Sequence, residues 1–426
     1  MLRKFFILGI VCLLFLGVNV LFFFGWDGSE NGPFWQKLSP ASYIIFLLFF
    51  YQFGKMINNR ALLVKNRKEE YLALIGLVLL LLFLQFNKQG GVFTLLGNTF
   101  FIPVLVSFLL PKQYPTVNLK AQQTIYLIRK LIIVFFVANC GIAIIERILT
   151  INFFPFTSGG NVSFNYVDYF RSTALQNHPL NNALITSIIM SFILVSEMKE
   201  SKKMMLWFFG FVAILCFNTR SSIFGWCAFM GIYIFYQLFY NRKLKVKAKS
   251  SLLALVSILI VVGFFLVSYY GLGDRLIEMG LYDENSAGVR LQVFKIFDSY
   301  SLGDFLWGLS EQKTTLIASR VDVEIIENFW LIFLFRFGLV FTCILVYLFY
   351  RLLKARFVGY NRFSVFFVLL VFLGIASTNN SLATTTVALT LLILCAIAFH
   401  PKLISVKKGN HIGRIMNPKG NLGFAK

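Results

Sequence analysis

The chain reads as an all-α integral membrane protein with about twelve transmembrane helices and one large extracytoplasmic loop. Three observations lead there. Of 426 residues, 58% are hydrophobic and only 14% charged, more apolar surface than a water-soluble fold can hide. The apolar residues come in runs of the length that crosses a bilayer, roughly 20 residues each. The basic residues gather in the connections that fall on one side of such a threading.

The first run, "MLRKFFILGIVCLLFLGVNVLFFFG", has a basic start and no small-residue cleavage pattern after it, so it reads as an uncleaved first span. Taken in order, the spans fall at 5–24, 40–57, 71–86, 91–110, 125–146, 179–197, 204–218, 222–240, 251–270, 326–350, 363–378 and 381–400. In that threading the basic stretches "KMINNRALLVKNRKEE", "MKESKK", "NRKLKVKAKS" and "RLLKARFVGYNR" share one side with both termini and the basic tail 401–426. By the positive-inside rule that side is the cytoplasm. The net charge of +22 therefore reflects topology, and no nucleic-acid partner is implied. Residues 1–400 form one polytopic unit with membrane lipids around it.

The six cysteines sit in or beside apolar runs without paired spacing, and the three histidines are scattered. No disulfide framework, metal site or cofactor motif follows.

The opposite face carries two long loops, 146–178 and 270–325, and the turn in "CFNTRSSIFGW". That turn sets Arg220 between two spans with almost no loop, on the side where arginines are disfavoured. Within 270–325, "SAGVRLQVFKIFDSY" spaces Val289, Val293, Ile296 and Phe297 as a short helix at the interface. The polar residues at this face are Arg171, His178 and Asn181 of "YFRSTALQNHPLNNALI", then Arg220 and Arg290. They are followed by Glu324, Glu327 and Asn328 of "EIIENFWLIFLFRFG". Arginine is planar, always charged and bidentate, which suits a phosphate ligand, and Glu327 at the same level could accept a proton. The same arginines could instead snorkel or bind lipid headgroups, and His178 could serve only its helix start. Arg336 lies about nine residues into its span, roughly 13 Å deep, where an arginine has to face a cavity or a partner.

In order along the chain these pieces are an R-x(n)-H-P-x-N segment entering a span, a T-R-S turn, and a long loop with G-V-R-L-x-x-F. E-N-F-W-L-x-x-L-F-R-F-G-L then opens a further span. The set, over roughly residues 165–345, resembles the O-antigen polymerase and O-antigen ligase superfamily of bacterial inner membranes. The resemblance implies a membrane-embedded, GT-C-like glycosyltransferase that needs no metal. Its donor is a glycan on undecaprenyl diphosphate, and it works on the extracytoplasmic face of the inner membrane. It implies that Arg220 and Arg290 engage the diphosphate; the residue types themselves make Glu327 the catalytic candidate and set Arg171, His178, Asn181 and Asn328 around the substrate. A chain-length regulator and a flippase are partners of that family. Where the ligases carry His before the Asn, this chain carries Glu327, which favours a polymerase of surface polysaccharide repeat units. A ligase with a lipid or protein acceptor is the alternative within the family. A flippase or transporter for the lipid-linked unit is the alternative outside it, expected to show paired repeats, broken helices and midplane charges.

Overall fold

The computed structural model describes residues 2–28, 32–58, 67–86, 92–111, 119–158, 161–162, 169–241, 246–273, 293–320 and 326–401. They are overwhelmingly helical. The helices are α1 (Leu2–Phe15), α2 (Val18–Phe23), α3 (Pro40–Asn58), α4 (Lys68–Phe86) and α5, which runs through Val92–Leu95, a π-helical stretch Leu96–Phe101 and Ile102–Leu109. Then follow α6 (Leu119–Leu149), α7 (Pro179–Val195), α8 (Glu200–Phe217), α9 (Arg220–Phe235, continued by a π turn Tyr236–Tyr240) and α10 (Val246–Tyr270). The chain ends with α11 (Leu302–Trp307), α12 (Glu311–Arg320), α13 (Phe329–Arg356), α14 (Arg362–Ala376) and α15 (Ala388–Ala398). Two antiparallel dipeptides, Thr157–Ser158 and Asn161–Val162, make the one small ladder among the described residues.

Each predicted apolar run is helical over most of its length. Of the twelve expected spans, four lie on helices that are, among the described residues, long and apolar enough to cross a membrane: Lys68–Phe86, Lys120–Leu149, Arg220–Tyr240 and Phe329–Arg356. Shorter apolar helices accompany them. The lateral surface is apolar too: Phe86 is 88% exposed, Phe264 74% and Leu82 61%. Exposed aromatic and aliphatic side chains of this size along whole helices are what a lipid-facing surface carries.

The bundle is built around α7. All of its residues from Asn181 to Leu194 are buried, as expected of a helix enclosed on every side. It packs against α6, α8, α14 and α15. Trp226 of α9 is fully buried and donates its indole N–H to Ser187 Oγ of α7 at 2.7 Å, which fixes the register of these two helices. At the other end of the bundle a buried ion pair ties three helices. Arg356 of α13 meets Glu70 of α4 at 2.7 Å and donates to Ser107 Oγ and to the carbonyl of Pro111. Arg67 caps α5 by donating to the carbonyls of Ser107 and Leu110.

Three predicted spans are interrupted. The first breaks between α1 and α2 at Leu16–Gly17, where a Cβ on Gly17 would lie 1.9 Å from the carbonyl oxygen of Leu175. The Leu14 carbonyl freed by this break accepts from Gln176 Nε2 at 2.6 Å. The fourth carries the π-helical stretch directly before Pro103, a residue with no N–H to give and a ring that crowds the preceding turn. The tenth, α13, is broken at Gly338 (φ 71°). Into that break fits Gly308 (φ 83°), just past α11, and Leu309 N–H donates to the Phe335 carbonyl at 2.7 Å. The last span begins later than predicted, at Ala388. The residues before it, Ser377–Val387, are a run of hydroxyl and amide side chains around a single 3₁₀ turn, Ser381–Ala383. Such side chains bond to nearby backbone and compete with helix.

Of the interfacial helix expected around Val289–Tyr300, the described part is a 3₁₀ helix, Val293–Ser299. Val293 and Ile296 join Leu309, Ile317 and Phe335 in a small core of their own. The α11 helix opens with a capping box between Ser301 and Asp304, and Asp304 pairs with Lys313 of α12 at 2.7 Å. The loop segment is therefore packed onto the first half of α13.

A Cβ at Gly338 would come within 2.3 Å of the Leu306 carbonyl oxygen, and its backbone angle is one that L-residues avoid. Gly338→Ala is expected to destabilise the protein by about 3 kcal/mol or more. Gly231 of α9 faces open space, so Gly231→Ala should stabilise by roughly 0.5–1 kcal/mol. Thermal unfolding of the two variants in one detergent checks the pair, and equal effects would contradict the inserted-loop geometry.

Candidate functional site

The α8–α9 connection is two residues long. Asn218 sits in the left-handed region (φ 54°, ψ 44°) as the cap of α8, a conformation that Asn tolerates better than most side chains. Thr219 is extended, and Arg220 is the first residue of α9. Arg220 thus stands on a helix N-terminus, on rigid backbone, half-buried.

The segment 170–178 lies against this turn. Ser172 N–H donates to the Cys216 carbonyl at 3.1 Å, Arg171 Nε to the Phe217 carbonyl at 3.4 Å, and Asn218 Nδ2 to the Phe170 carbonyl at 3.4 Å. The last carbonyls of α8, which no helical N–H can reach, are satisfied in this way. Ser172 to Gln176 are buried although they are not helical. Leu175 N–H donates to Asn139 Oδ1 of α6, and Asn182 Nδ2 donates to the Thr173 carbonyl. Asn19 of α2 donates to the carbonyls of Phe154 and Ala174 and accepts from Asn177 N–H.

His178 is the N-cap of α7: its Nδ1 accepts from Leu180 N–H at 3.1 Å, with Pro179 as the first helical residue. Its ring meets the edge of Phe156. Burial first, and then the charge of Arg171, pushes its pKa down to about 3, so the imidazole is neutral. Asn181 is buried in the first turn of α7, and among the described residues its Oδ1 meets no hydrogen-bond donor.

Asn328 caps α13, accepting from Trp330 N–H and Leu331 N–H, and Glu327 precedes it, half-buried. The polar segment after α14 joins this helix start to the arginine turn. Asn328 Nδ2 donates to the Ser377 carbonyl, Trp330 Nε1 donates to Ser377 Oγ at 2.8 Å, and Phe329 N–H donates to the Asn379 carbonyl at 3.1 Å. One residue on, Thr378 Oγ1 lies 3.0 Å from Ser221 Oγ, next to Arg220. Residues 377–379 therefore bridge the N-termini of α9 and α13. The same region receives the N-terminus of α7. Helices α7, α9 and α13 all start at this end of the bundle, where Arg171 and Arg220 also lie, an arrangement suited to an anion.

Of the predicted site residues, Arg171, His178, Asn181, Arg220, Glu327 and Asn328 lie around this one end of the bundle. Arg290 and Glu324 lie outside the described residues. Arg336 is placed two residues before the break in α13 and is half-buried. The sequence analysis does not single out the 377–386 segment or Asn218, although each carries a signal: a hydroxyl-rich run cutting an apolar stretch, and an Asn in the two-residue turn between two apolar runs. The chain matches no known family profile, no curated protein and no solved structure.

His178 gives the site a pH signature. Its folded-state pKa lies below the ordinary imidazole value of about 6.5, so the folded protein binds fewer protons in between. That stability is complete above about pH 6.5 and declines as the pH falls toward 3. The unfolding temperature is expected to drop between pH 7 and 5. His178→Asn, which keeps an acceptor at the N-cap, should flatten that slope. An unchanged slope would contradict the neutral, capping histidine.

Proposed function

We propose that the chain polymerises oligosaccharide repeat units carried on undecaprenyl diphosphate, as a twelve-span, GT-C-like enzyme of the O-antigen polymerase type. In this reading the end with the α8–α9 turn faces the periplasm or exterior of a bacterial inner membrane. The observation that carries it is the bridge at 377–379. It sets the N-terminus of α9, with Arg220, beside the start of α13, with Glu327 and Asn328.

The chemistry follows from the residue types. Arg220, with Arg171 behind it and Arg290 from the large loop, holds the diphosphate. A sugar hydroxyl of the acceptor attacks the anomeric carbon of the donor. The bond from that carbon to the diphosphate oxygen breaks, and the lipid diphosphate leaves with the electron pair. Glu327 takes the proton of the attacking hydroxyl. The guanidiniums and helix dipoles stabilise the charge growing on the leaving group. Arg220 stands on the first residue of a helix, so little freedom is lost when it meets phosphate.

The breaks in α1–α2 and α13 are the features that favour a transporter of the lipid-linked unit instead. Both are filled by the chain's own backbone, at Leu175–Gln176 and at Gly308–Leu309, which leaves the polymerase the better reading.

The test uses the purified protein in lipid with the lipid-diphosphate-linked repeat unit of the host's polysaccharide locus, in EDTA. Wild type should build a ladder of chain lengths. Arg220→Ala should lower the rate by roughly 100-fold or more, and Glu327→Gln by a similar factor. A single transfer to an added acceptor would point to a ligase. Transfer across the bilayer with no glycan bond formed would overturn the enzyme reading.

A further inference from the structure

Glu146 and Arg147 are neighbours in the last turn of α6, and neither is among the residues assigned to the site above. Glu146 is completely buried. Both of its oxygens are used. Oε1 accepts from Phe153 N–H at 2.9 Å. Oε2 accepts from Thr173 N–H and Ala174 N–H, each at 3.0 Å, and from the Ser172 hydroxyl. Arg147 reaches the other way: Nη1 donates to the Phe170 carbonyl at 2.9 Å and Nη2 to the Gly271 carbonyl at 2.7 Å.

Apart from the one to Phe153, these contacts land on segments that carry or adjoin the site. Residues 170 to 174 hold Arg171 and close the end of α8, whose next residues are the Asn218–Thr219 turn and Arg220. Gly271 opens the 270–325 loop, to which Arg290 belongs. A helix end thus presents one carboxylate and one guanidinium to two stretches of chain that lead to an arginine, 170–174 and the one that starts at Gly271, while Phe153 N–H takes the remaining carboxylate oxygen. The backbone at Ala174 (φ 38°) and Asn177 (φ 63°) is in a region that side chains rarely adopt. That geometry turns the amides of Thr173 and Ala174 onto the carboxylate and persists only where its surroundings enforce it.

We propose that Glu146 and Arg147 are positioning residues: they set Arg171 and Arg220 at the spacing that a lipid diphosphate requires. This rests on the polymerase reading. The carboxylate is needed as such, because four donors converge on it and it must accept at both oxygens. A glutamine has one acceptor oxygen. Its amide group would face either Phe153 N–H or the donors of Ser172, Thr173 and Ala174. Because those donors belong to the segment that grips α8, the conflict displaces the arginines rather than only loosening a loop.

The experiment measures binding of undecaprenyl diphosphate and undecaprenyl monophosphate to the full-length protein in lipid nanodiscs. The dissociation constant and the fraction of protein that binds at saturation are read separately. The proteins are wild type, Arg220→Ala, Glu146→Gln, Arg147→Lys and Ser172→Ala. Glu146→Gln is expected to weaken diphosphate binding roughly tenfold to a hundredfold. It should also narrow the preference for diphosphate over monophosphate, with the binding fraction unchanged. Arg147→Lys and Ser172→Ala, which each remove part of the network, should move the same preference less far. Should Glu146→Gln not fold, those two decide. A lower binding fraction with wild-type affinity in the molecules that do bind would mean a merely structural role and overturn the proposal. So would equal weakening of both probes. If wild type shows no preference for diphosphate, or Arg220→Ala leaves it intact, the polymerase reading itself fails and this proposal with it. If Arg220→Ala abolishes the preference while the three network variants keep it, the assignment of Glu146 and Arg147 alone is wrong.

Discussion

A peptide group released from a helix inside an apolar bundle has no water to turn to, so its hydrogen bonds must be found within the protein. The fold obeys this constraint at three places where a helix stops short. The break after α1 exposes the Leu14 carbonyl, and Gln176 meets it. The end of α8 exposes the Cys216 and Phe217 carbonyls, and Ser172 and Arg171 meet them. The break in α13 exposes the Phe335 carbonyl, and Leu309 meets it. In each case the partner comes from a non-helical stretch that has itself been drawn into the bundle. Glycine is used where that approach is closest, at Gly17, Gly308 and Gly338.

The site follows from this accounting. Segment 172–176 is buried because it closes α8 and plugs the first break, and in doing so it brings Arg171 to the arginine turn. Segment 377–379 is polar because it caps the start of α13 and touches α9, and in doing so it joins Glu327 to Arg220. The residues assigned to chemistry are held by others whose evident task is to satisfy backbone. A fully apolar core offers no directional contacts, so the orientation of charged side chains at its end has to come from such bonds. The anion-binding character is a further consequence: helices that start at the same end bring their dipoles together there.

Much of this was legible from the chain itself, and what was not has identifiable causes. The apolar runs found the helices because length and composition suffice for that. Arg220 stood out because its turn was too short to be an ordinary loop, and it proved to sit one residue later, on the helix. The place of His178 and Asn328 in a motif points to substrate contact, and the structure adds to each a capping bond at the helix starts of Pro179 and Phe329. The breaks at Gly17 and Gly338 were invisible because a glycine in an apolar run is common and tolerated. Only the approach of a distant backbone distinguishes these two from Gly231, which faces open space. The final helix starts later than the apolar run suggests: Leu382, Ala383 and Val387 keep 381–387 apolar enough to read on, although Thr384 Oγ1 donates to the Ser381 carbonyl, Thr386 Oγ1 accepts from Ala388 N–H and Thr386 N–H donates to Thr99 Oγ1 of α5. Glu146 was passed over because its partners are backbone amides about 27 residues away, which no pattern of side chains announces.

The account stands on the claim that the non-helical segments inside the bundle are as firmly bonded as the helices they interrupt. Hydrogen–deuterium exchange of the full-length protein in lipid nanodiscs tests it at single stretches. The amides of Ser172, Leu175 and Leu309 should exchange as slowly as those in the middle of α7, hours slower than those of the exposed Phe34 and Trp35. Exchange of these amides at the rate of ordinary surface loops, with α7 still protected, would contradict it.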